Sequence, residues 1–320
     1  MQKELPRPIR VMRMIARLNI GGPAIHVTLL TERLQALDYD CTLVCGSVGQ
    51  DEGDMRYYAE EHGVQPIIVP ELGRELHPIR DLLTLWKVYR LIRQIKPDVV
   101  ATHTAKAGFI GRLAAWLAGV PVIVHTFHGH VFESYFSRLT TRVFIFLERI
   151  ASSMSDTIIT VSESLRRDLS EKYQVARKGR ITVLPLGLDL SRFMETPRRA
   201  GHFRKSMNIP DDVPLLGIVG RLVPIKNHAL FLQAVARVRE HYPQVKCVIV
   251  GDGELRAEVE AQVDRMGLRD VVRFTGWLRE LAPLYSDLDV LVMSSLNEGT
   301  PVSVIEALAS ACPIVSTDVG

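Results

Sequence analysis

Residues 215–238 read LLGIVGRLVPIKNHALFLQAVARV, and this stretch decides the fold. Its first residues form a short apolar run, as expected of a parallel strand that is covered on both faces. The run ends at Gly220, and a helical pattern of apolar residues follows from Asn227 to Val238. Strand, glycine-containing loop and helix in this order are the repeating unit of doubly wound parallel sheets.

The same alternation of short apolar runs and helical patterns fills most of the chain. Further strands are predicted at residues 11–16, 41–45, 66–69, 99–102, 122–126, 157–161, 181–184, 245–251, 271–274, 290–293 and 314–317. The pattern pauses at residues 185–213, where proline, glycine and charged residues accumulate. We therefore predict the α/β class, with Rossmann-like doubly wound parallel-sheet domains at residues 1–190 and 213–320 and a linker at 191–212. Two such sheets facing each other would form a cleft for ligands.

The chain stops at Gly320, directly after the last predicted strand. A parallel strand ordinarily needs a covering helix. We therefore expect the second domain to be incomplete, as in a reading frame truncated at its C-terminus. A natural end on an edge strand is the alternative.

Composition narrows the class of protein. Of 320 residues, 47% are hydrophobic and 23% charged, which is typical of a globular chain and excludes a mainly disordered one. Lys+Arg number 39 against 36 Asp+Glu, a balance that does not favour nucleic acid as a partner. The four cysteines lack CxxC spacing, and no apolar run is long enough to span a bilayer or to form a signal peptide. We expect a soluble, cytoplasmic protein with two domains.

Two predicted strand-to-helix loops carry groups that suit an anion. The first contains Gly21 and Gly22, whose backbone amides could approach a phosphate at a helix N-terminus. The second runs from Gly220 to the next helix and contains Arg221 and Lys226, which could clamp a diphosphate. The alternatives are a tight turn that needs glycine and two solvated surface cations. The first domain lacks GxGxxG, which disfavours dinucleotide binding there.

The most specific motif is EGTPVSVIE, residues 298–306. Glu298 falls in a loop after a predicted strand, and Pro301 suits the first turn of the next helix. Two carboxylates can accept hydroxyl donors from a ribose or a sugar. By its spacing alone, Glu306 is more readily interpreted as a solvated helix position than as a ligand-binding group. The exposed amides that could donate to a ligand belong to Gly299, Thr300 and Val302.

Histidines follow two further predicted strands. His125, His128 and His130 invite a zinc interpretation, but the strand period separates His125 from His128 and no cysteine lies nearby. We expect no metal and favour His128 as an active-site group over a loop histidine. His103 and Lys106 lie in another loop after a strand, where they could touch an acceptor substrate or be merely solvated.

Residues 162–205 contain eleven Lys/Arg and five Asp/Glu, a net charge of +6. A solvated linker explains most of this charge. Peripheral contact with an anionic membrane is the alternative, supported by the aromatic-rich stretches 131–136 and 143–146.

Taken together, these motifs resemble the retaining glycosyltransferases of family 4, which have two facing Rossmann-like domains, the GT-B fold. The resemblance spans nearly the whole chain. It depends most on Gly220-Arg-Leu with Lys226-Asn and on the pair Glu298 and Glu306. The strings KAG at 106–108 and TFHGHV at 126–131 are similar to bacterial members that act in capsule, exopolysaccharide or O-antigen assembly.

The resemblance implies roles for the second domain. A nucleotide-sugar, most often a UDP-sugar, would bind there, with Arg221 and Lys226 neutralising the diphosphate as the leaving group develops charge. Glu306 would hold the ribose hydroxyls. Glu298 would position the donor sugar, aided by the amides that follow it.

The resemblance also implies roles for the first domain. Gly21 and Gly22 would approach the phosphate on closure, and His128 would lie near the donor sugar. Such enzymes need neither a cofactor nor a catalytic metal, and they retain the anomeric configuration.

The function expected from the sequence is therefore that of a retaining hexosyl- or N-acetylhexosaminyltransferase. It would move a sugar from a nucleotide-sugar to a lipid-linked or saccharide acceptor in cell-surface polysaccharide synthesis, in the cytoplasm or at the inner face of the plasma membrane. The alternatives are a non-catalytic nucleotide-binding module, a truncated inactive fragment and, less favoured, a sugar-nucleotide epimerase of the same architecture.

Overall fold

A computed structural model describes residues 7–49, 52–73, 77–129, 132 and 137–319. The chain forms two compact units, the first ending at Leu188 and the second beginning at Asp189. We refer to them as unit 1 and unit 2.

Unit 1 is built on a parallel sheet of seven strands. The strands are β1 Arg10–Arg17, β2 Asp40–Gly46, β3 Ile67–Ile68, β4 Val99–His103, β5 Val122–Phe127, β6 Thr157–Thr160 and β7 Ile181–Val183. Their order across the sheet is β3-β2-β1-β4-β5-β6-β7, so the direction of winding reverses between β1 and β4. All seven strands were predicted from the apolar runs.

Helices cover both faces of this sheet. They are α1 Gly22–Gln35, α2 Arg56–Glu61, α3 Pro78–Ile95, α4 Ala105–Ala118, α5 Arg138–Ser153 and α6 Glu163–Arg167, which continues into a π-helical turn at Asp168–Lys172. Successive residues of β1 point to opposite faces of the sheet and pack against different helices. Met12 and Met14 pack with Val88 of α3, whereas Ile15 packs with Val27 of α1. This explains why Val11, Met12, Met14 and Ile15 are all apolar, although Arg13 between them is buried as well.

Unit 2 has a parallel sheet of five strands. Its elements are α7 Ser191–Glu195, α8 His202–Ser206, β8 Leu215–Val219, α9 His228–His241, β9 Lys246–Val250, α10 Arg256–Arg265, β10 Val272–Gly276, α11 Ala282–Asp287, β11 Val290–Met293, α12 Val302–Ala309 and β12 Ile314–Ser316. The strand order is β10-β9-β8-β11-β12, so the winding reverses between β8 and β11. The strands of this second sheet were also predicted.

Residues 191–212, which the sequence suggested to be a linker, fold onto unit 2. Phe193 of α7 and Phe203 of α8 are buried in the same apolar cluster as Leu215 and Leu288. The two helices have five residues each, which is too short to show a helical period in the sequence. Packing on unit 2 stabilises them, and the Asp287 carboxylate accepts the amides of Gly201, Phe203 and Arg204 at the start of α8.

The basic segment is not simply solvated either. The Arg198 guanidinium donates to the carbonyls of Tyr285, Ser286 and Leu288, at 2.6–2.8 Å. Arg204 is buried and pairs with Asp289 at 2.8 Å. These two arginines tie residues 191–212 to unit 2. The aromatic stretch 131–136 lies outside the described residues apart from Phe132.

No helix in the described part of the chain combines the length and apolar character needed to cross a bilayer.

One buried ion pair connects helices of unit 1. Arg112 of α4 and Glu148 of α5 are both buried, and Nη2 of the arginine lies 2.7 Å from Oε2 of the carboxylate. Arg112 Nε also donates to the carbonyl of Gly108 at 2.8 Å. The two charges are therefore paired with each other, and Nε of the arginine is satisfied by backbone, whereas its Nη1 is buried without a hydrogen-bond partner.

Replacing Glu148 with alanine should strongly destabilise unit 1, because Arg112 would remain charged and buried without its partner. We expect a loss of about 3–5 kcal/mol in the free energy of unfolding, measured by urea denaturation. Glu163→Ala is the matched control, since Glu163 pairs with Arg166 on the exposed surface. It should cost less than about 1 kcal/mol. Equal losses in the two variants would contradict the conclusion that the buried pair of Arg112 and Glu148 stabilises unit 1.

Candidate active site

In each unit the candidate residues gather at the switch point of the sheet, which is the place between two neighbouring strands where the direction of winding reverses. Loops leave the carboxyl ends of two neighbouring strands in opposite directions at such a point, which opens a crevice. In unit 1 the loops follow β1 and β4, and in unit 2 they follow β8 and β11. The predicted glycine loops and the EGTPVSVIE motif occupy these positions.

The loop after β8 is held by close backbone packing. Gly220 has a φ of 159°, and a Cβ placed there would lie 3.3 Å from Cε of Lys226. Leu222 donates its amide to the carbonyl of Asp252 at 2.9 Å. A Cβ on Gly253 would approach the Leu222 carbonyl to 2.7 Å. Glycine is therefore needed at Gly220, where the loop that carries Arg221 begins, and at Gly253, where a neighbouring loop packs against it.

The loops after β8 and β11 meet through an ion pair. Nζ of Lys226 lies 2.5 Å from Oε1 of Glu298, and both side chains are largely buried. The Ser295 hydroxyl donates to the same carboxylate oxygen at 2.6 Å. The Ser294 hydroxyl donates to the carbonyl of Lys226 at 2.9 Å. A cation predicted to bind phosphate and a carboxylate predicted to bind sugar are thus direct partners.

Glu306 is buried rather than solvated, which corrects the alternative drawn from its spacing. Its side chain is on the inner face of α12, and the Tyr285 hydroxyl donates to Oε2 at 3.1 Å. Burial raises the pKa of Glu306 to about 7, while the Tyr285 hydrogen bond and the charge of Arg192 oppose this shift. The group is therefore balanced between its charged and neutral forms near neutral pH.

The N-terminus of α12 lies beside this pair. Pro301 is its N-cap and the helix begins at Val302, one residue later than the sequence suggested. Gly299 and Thr300 precede the cap and are partly exposed. Their amides and that of Val302 are among the groups that a helix N-terminus leaves without helical partners.

In unit 1 the first glycine loop has the predicted position. Gly21, with a φ of 155°, is the N-cap of α1, which begins at Gly22. Across the switch point, Thr104 has a φ of 65° at the start of α4. Its hydroxyl accepts from the amide of Ala16 at 3.2 Å and so links the ends of β1 and β4.

Three histidines cluster beside these loops. His103 ends β4, His128 follows β5, and His26 lies on α1. Nδ1 of His103 is 3.1 Å from Nε2 of His128, and the His26 ring centroid is 5.1 Å from that of His128. The structure therefore groups His128 with His103 and His26. His125 bonds instead to Thr102 at 2.8 Å.

Burial keeps these imidazoles neutral. It lowers the pKa of His26 to about 4, helped by the Arg13 charge, and that of His128 to about 3, helped by His26. The pKa of His103 is lowered for the same reason. No group of three or more metal-binding side chains suited to hold an ion occurs among the described residues. His130 lies outside that part of the chain.

His103 and Lys106 are not merely solvated. His103 is buried in the cluster, and Nζ of Lys106 lies 2.6 Å from Oδ1 of Asp81 on α3. Lys106 therefore links the first turn of α4 to the first turn of α3. The alternative of solvated loop residues is wrong for both side chains.

Comparison with known proteins agrees with this architecture. A model described as Glycosyltransferase Family 4 matches residues 20–192, more than half of the chain. A model described as Glycosyl transferases group 1 matches residues 213–320. The chain belongs to glycosyltransferase family 4. The resemblance inferred from its motifs is thereby confirmed.

Individual relatives cover most of this family 4 glycosyltransferase. A UDP-Gal:alpha-D-GlcNAc-diphosphoundecaprenol alpha-1,3-galactosyltransferase of Escherichia coli is 32% identical over 90% of this chain and 74% of its own length. The putative glycosyltransferase EpsF of Bacillus subtilis is 29% identical over 97% of this chain and 79% of its own.

Solved structures support the fold of this glycosyltransferase. HepE of Anabaena, crystallised with UDP-glucose, has a TM-score of 0.79 at 19% identity and covers 98% of this chain and 81% of its own. WaaG, a glycosyltransferase involved in lipopolysaccharide biosynthesis, has a TM-score of 0.75 at 17% identity, over 97% of this chain and 81% of its own. With the two parallel-sheet units, these likenesses confirm the predicted GT-B class.

Three residues of the glycosyltransferase site were missed by sequence reasoning. Ser295 and Tyr285 bond the two predicted carboxylates, and His26 packs against His128. Ser295 directly follows β11, and a polar residue at a strand end is a signal that could have been used. His26 and Tyr285 lie within helices, and nothing in their spacing distinguishes them from core residues.

The neutral histidines should make unit 1 less stable in mild acid. Below pH 6.5 the unfolded chain binds protons on His26 and His128, whereas the folded unit does not until about pH 4 and about pH 3. Stability should therefore fall as the pH drops from about 7 to about 5, by up to about 1.4 kcal/mol per pH unit for each histidine. Urea unfolding at several pH values measures this slope.

His26→Leu should flatten the slope, because one of the buried neutral histidines is gone. His77→Leu is the control, since His77 is exposed at the N-cap of α3. It should leave the slope unchanged. A slope that does not respond to His26→Leu would show that other groups cause the acid sensitivity.

Proposed function

We propose that this family 4 glycosyltransferase moves a hexose or N-acetylhexosamine from a UDP-sugar to a lipid-linked or saccharide acceptor in cell-surface polysaccharide synthesis. Transfer proceeds with retention of configuration and without a metal ion. The reaction takes place in the cytoplasm, at the inner face of the plasma membrane.

The observation that carries the proposal is the meeting of Lys226 with Glu298 at the switch point of unit 2. The lysine comes from the same loop as Arg221, which supplies a second cation. A nucleoside diphosphate leaving group is anionic and gains charge during transfer, so it requires cations held in place beforehand. The same loops present a carboxylate to the hydroxyls of the attached sugar.

Relatives support the choice of substrates. The Escherichia coli relative is named for UDP-galactose and for a GlcNAc-diphospholipid, and HepE was crystallised with UDP-glucose. The basic loop after β8 fits a UDP-sugar. The acceptor in the name of the Escherichia coli relative is a sugar linked through diphosphate to a lipid, and we assign an acceptor of the same chemical class to this chain. We therefore favour a lipid-linked acceptor.

Within unit 2 each carboxylate receives a role. Glu298 accepts hydroxyls of the donor sugar, and the amides of Gly299, Thr300 and Val302 donate to the same ligand. Glu306 accepts the ribose hydroxyls through Oε1, because Oε2 already accepts from Tyr285. Arg221 and Lys226 bind the diphosphate, and Lys226 then exchanges part of its contact with Glu298 for phosphate.

Within unit 1 the neutral imidazole of His128 can exchange a hydrogen bond with a sugar hydroxyl. His103 is a positioning residue, since its bond to Nε2 of His128 determines which nitrogen of that ring carries the proton. Gly21 and Gly22 offer amides at the start of α1. Lys106 acts on the acceptor side, with its amine oriented by Asp81.

The proposal predicts that binding and transfer can be separated by mutation. Arg221→Ala should weaken UDP binding, measured by calorimetry, by about 1.5–3 kcal/mol, because a charge-assisted contact is lost. Glu298→Gln should reduce transfer of radiolabelled galactose from UDP-galactose to GlcNAc-diphospholipid far more than it reduces UDP binding. NMR of the product should show the α configuration of the donor.

Arg239→Ala is the matched control, because Arg239 lies on α9 but pairs with Asp270 away from the loop. It should change neither measurement. Unchanged UDP affinity in Arg221→Ala would remove the diphosphate role. An inverted product would overturn retention, and loss of activity with EDTA would overturn metal independence.

Donor affinity should also depend on pH through Glu306. Its pKa is about 7, so the carboxylate that accepts hydroxyls is replaced by the neutral acid at lower pH. Affinity for UDP-galactose should therefore fall as the pH drops through 7. Tyr285→Phe removes a hydrogen bond that lowers this pKa, so the midpoint should move to higher pH. In Glu306→Gln the affinity should be low and independent of pH; a wild-type pH profile in that variant would exclude Glu306 as the titrating group.

A further inference from the structure

Helix α3 exposes an apolar stripe. It consists of Ile79, Leu82, Leu83 and Trp86, which are 76%, 68%, 40% and 52% exposed. The spacing i, i+3, i+4, i+7 places these four side chains on one side of the helix. The opposite side is buried through Thr84, Val88 and Ile92. The stripe is therefore a second apolar surface that the core of unit 1 does not use.

The same helix is basic. Its one acidic residue, Asp81, is paired with Lys106, and its lysine, Lys87, is paired with Glu71 at 2.5 Å. Arg80, Arg90 and Arg93 are exposed, and the Arg90 guanidinium lies 4.8 Å from the centroid of the Trp86 ring. Tryptophan and arginine beside exposed leucines are the composition of a helix that rests in a membrane interface.

The stripe lies near the candidate active site of unit 1. It occupies the N-terminal half of α3, and its Asp81 is held 2.6 Å from Lys106 in the first turn of α4. Lys106 is separated by only two residues from His103, which ends β4. One ion pair therefore connects the helix that carries the stripe to the switch point of the sheet.

Helix α5 repeats the pattern on the same face of the sheet, since α4 packs against both α3 and α5. Leu139, Val143, Phe146 and Ile150 are exposed at spacing i, i+4, i+7, i+11. Its acidic residue, Glu148, is buried against Arg112. Arg138 and Arg142 are exposed alongside the apolar residues. Two separate helices thus present apolar side chains with arginines and no exposed acid.

We propose that the outer surfaces of α3 and α5 dock on a lipid bilayer that contains anionic headgroups. The leucines, Trp86 and Phe146 enter the interface, and the arginines bind lipid phosphates. Charge complementarity favours this occupant, because the exposed charged residues of both helices are arginines. The inference deepens the proposed function and rests on it in one respect: a lipid-linked acceptor would then lie in the membrane to which the enzyme is bound.

Vesicle co-sedimentation without any donor or acceptor tests the docking. The protein should bind phosphatidylcholine vesicles that contain about a third phosphatidylglycerol, more weakly in high salt and more weakly still without the anionic lipid. Leu82→Glu should lower the partition coefficient about tenfold or more, because it removes one inserted side chain and adds a charge. Leu37→Glu is the matched control: Leu37 is also 68% exposed but follows α1, which packs on the opposite face of the sheet. It should bind like wild type.

Equal binding by Leu82→Glu and Leu37→Glu would overturn the proposal, as would binding that does not depend on anionic lipid. Sedimentation velocity provides a second readout: a dimer that Leu82→Glu disrupts would assign the stripe to a second copy of the chain instead. Transfer to GlcNAc-diphosphate on a short, water-soluble alkyl chain separates the two proposals. Leu82→Glu should retain this activity, whereas failure of the wild type in this assay would count against the proposed reaction and not against docking.

Discussion

The reversal of winding in each sheet is the constraint on which the rest of the structure depends. Parallel strands need crossover helices, and these cover both faces only if the chain winds outward from a central pair of strands. The central pairs are β1 with β4 and β8 with β11. Because the loops after each pair diverge, polar groups can collect there without breaking the core. The histidine cluster and the Lys226–Glu298 pair both occupy such places.

The points where the two sheets reverse their winding differ in electrostatic character. In unit 1 burial removes charge, since the imidazoles of His26, His103 and His128 are more stable neutral than protonated. In unit 2 a cation and a carboxylate neutralise each other at the rim, and both remain available for exchange with a charged ligand. Neutral hydrogen-bonding groups suit a sugar, whereas paired charges suit a diphosphate. The two sheets therefore offer different chemistries to a ligand.

Local pattern was sufficient to locate the strands and the loops that hold the candidate residues. A strand covered on both faces is mostly apolar, so β1, β8 and β11 can be recognised without knowing their neighbours. The EGTPVSVIE motif likewise identified the loop after β11 as a candidate site before any contact was known. Pattern was insufficient for α7 and α8, because helices of five residues owe their stability to packing and not to their own period.

The sequence by itself therefore determined the parallel-sheet architecture, the family and the loops that hold the candidate site. Only the tertiary structure decided the partners: Lys226 with Glu298, 72 residues apart, and Glu306 with Tyr285. It also decided that the histidines of the cluster are neutral and that the α3 stripe is exposed instead of buried. The physical reason is the same in each case. Periodicity reports that a side chain is apolar or polar, whereas its partner and its desolvation depend on elements that are distant in the chain.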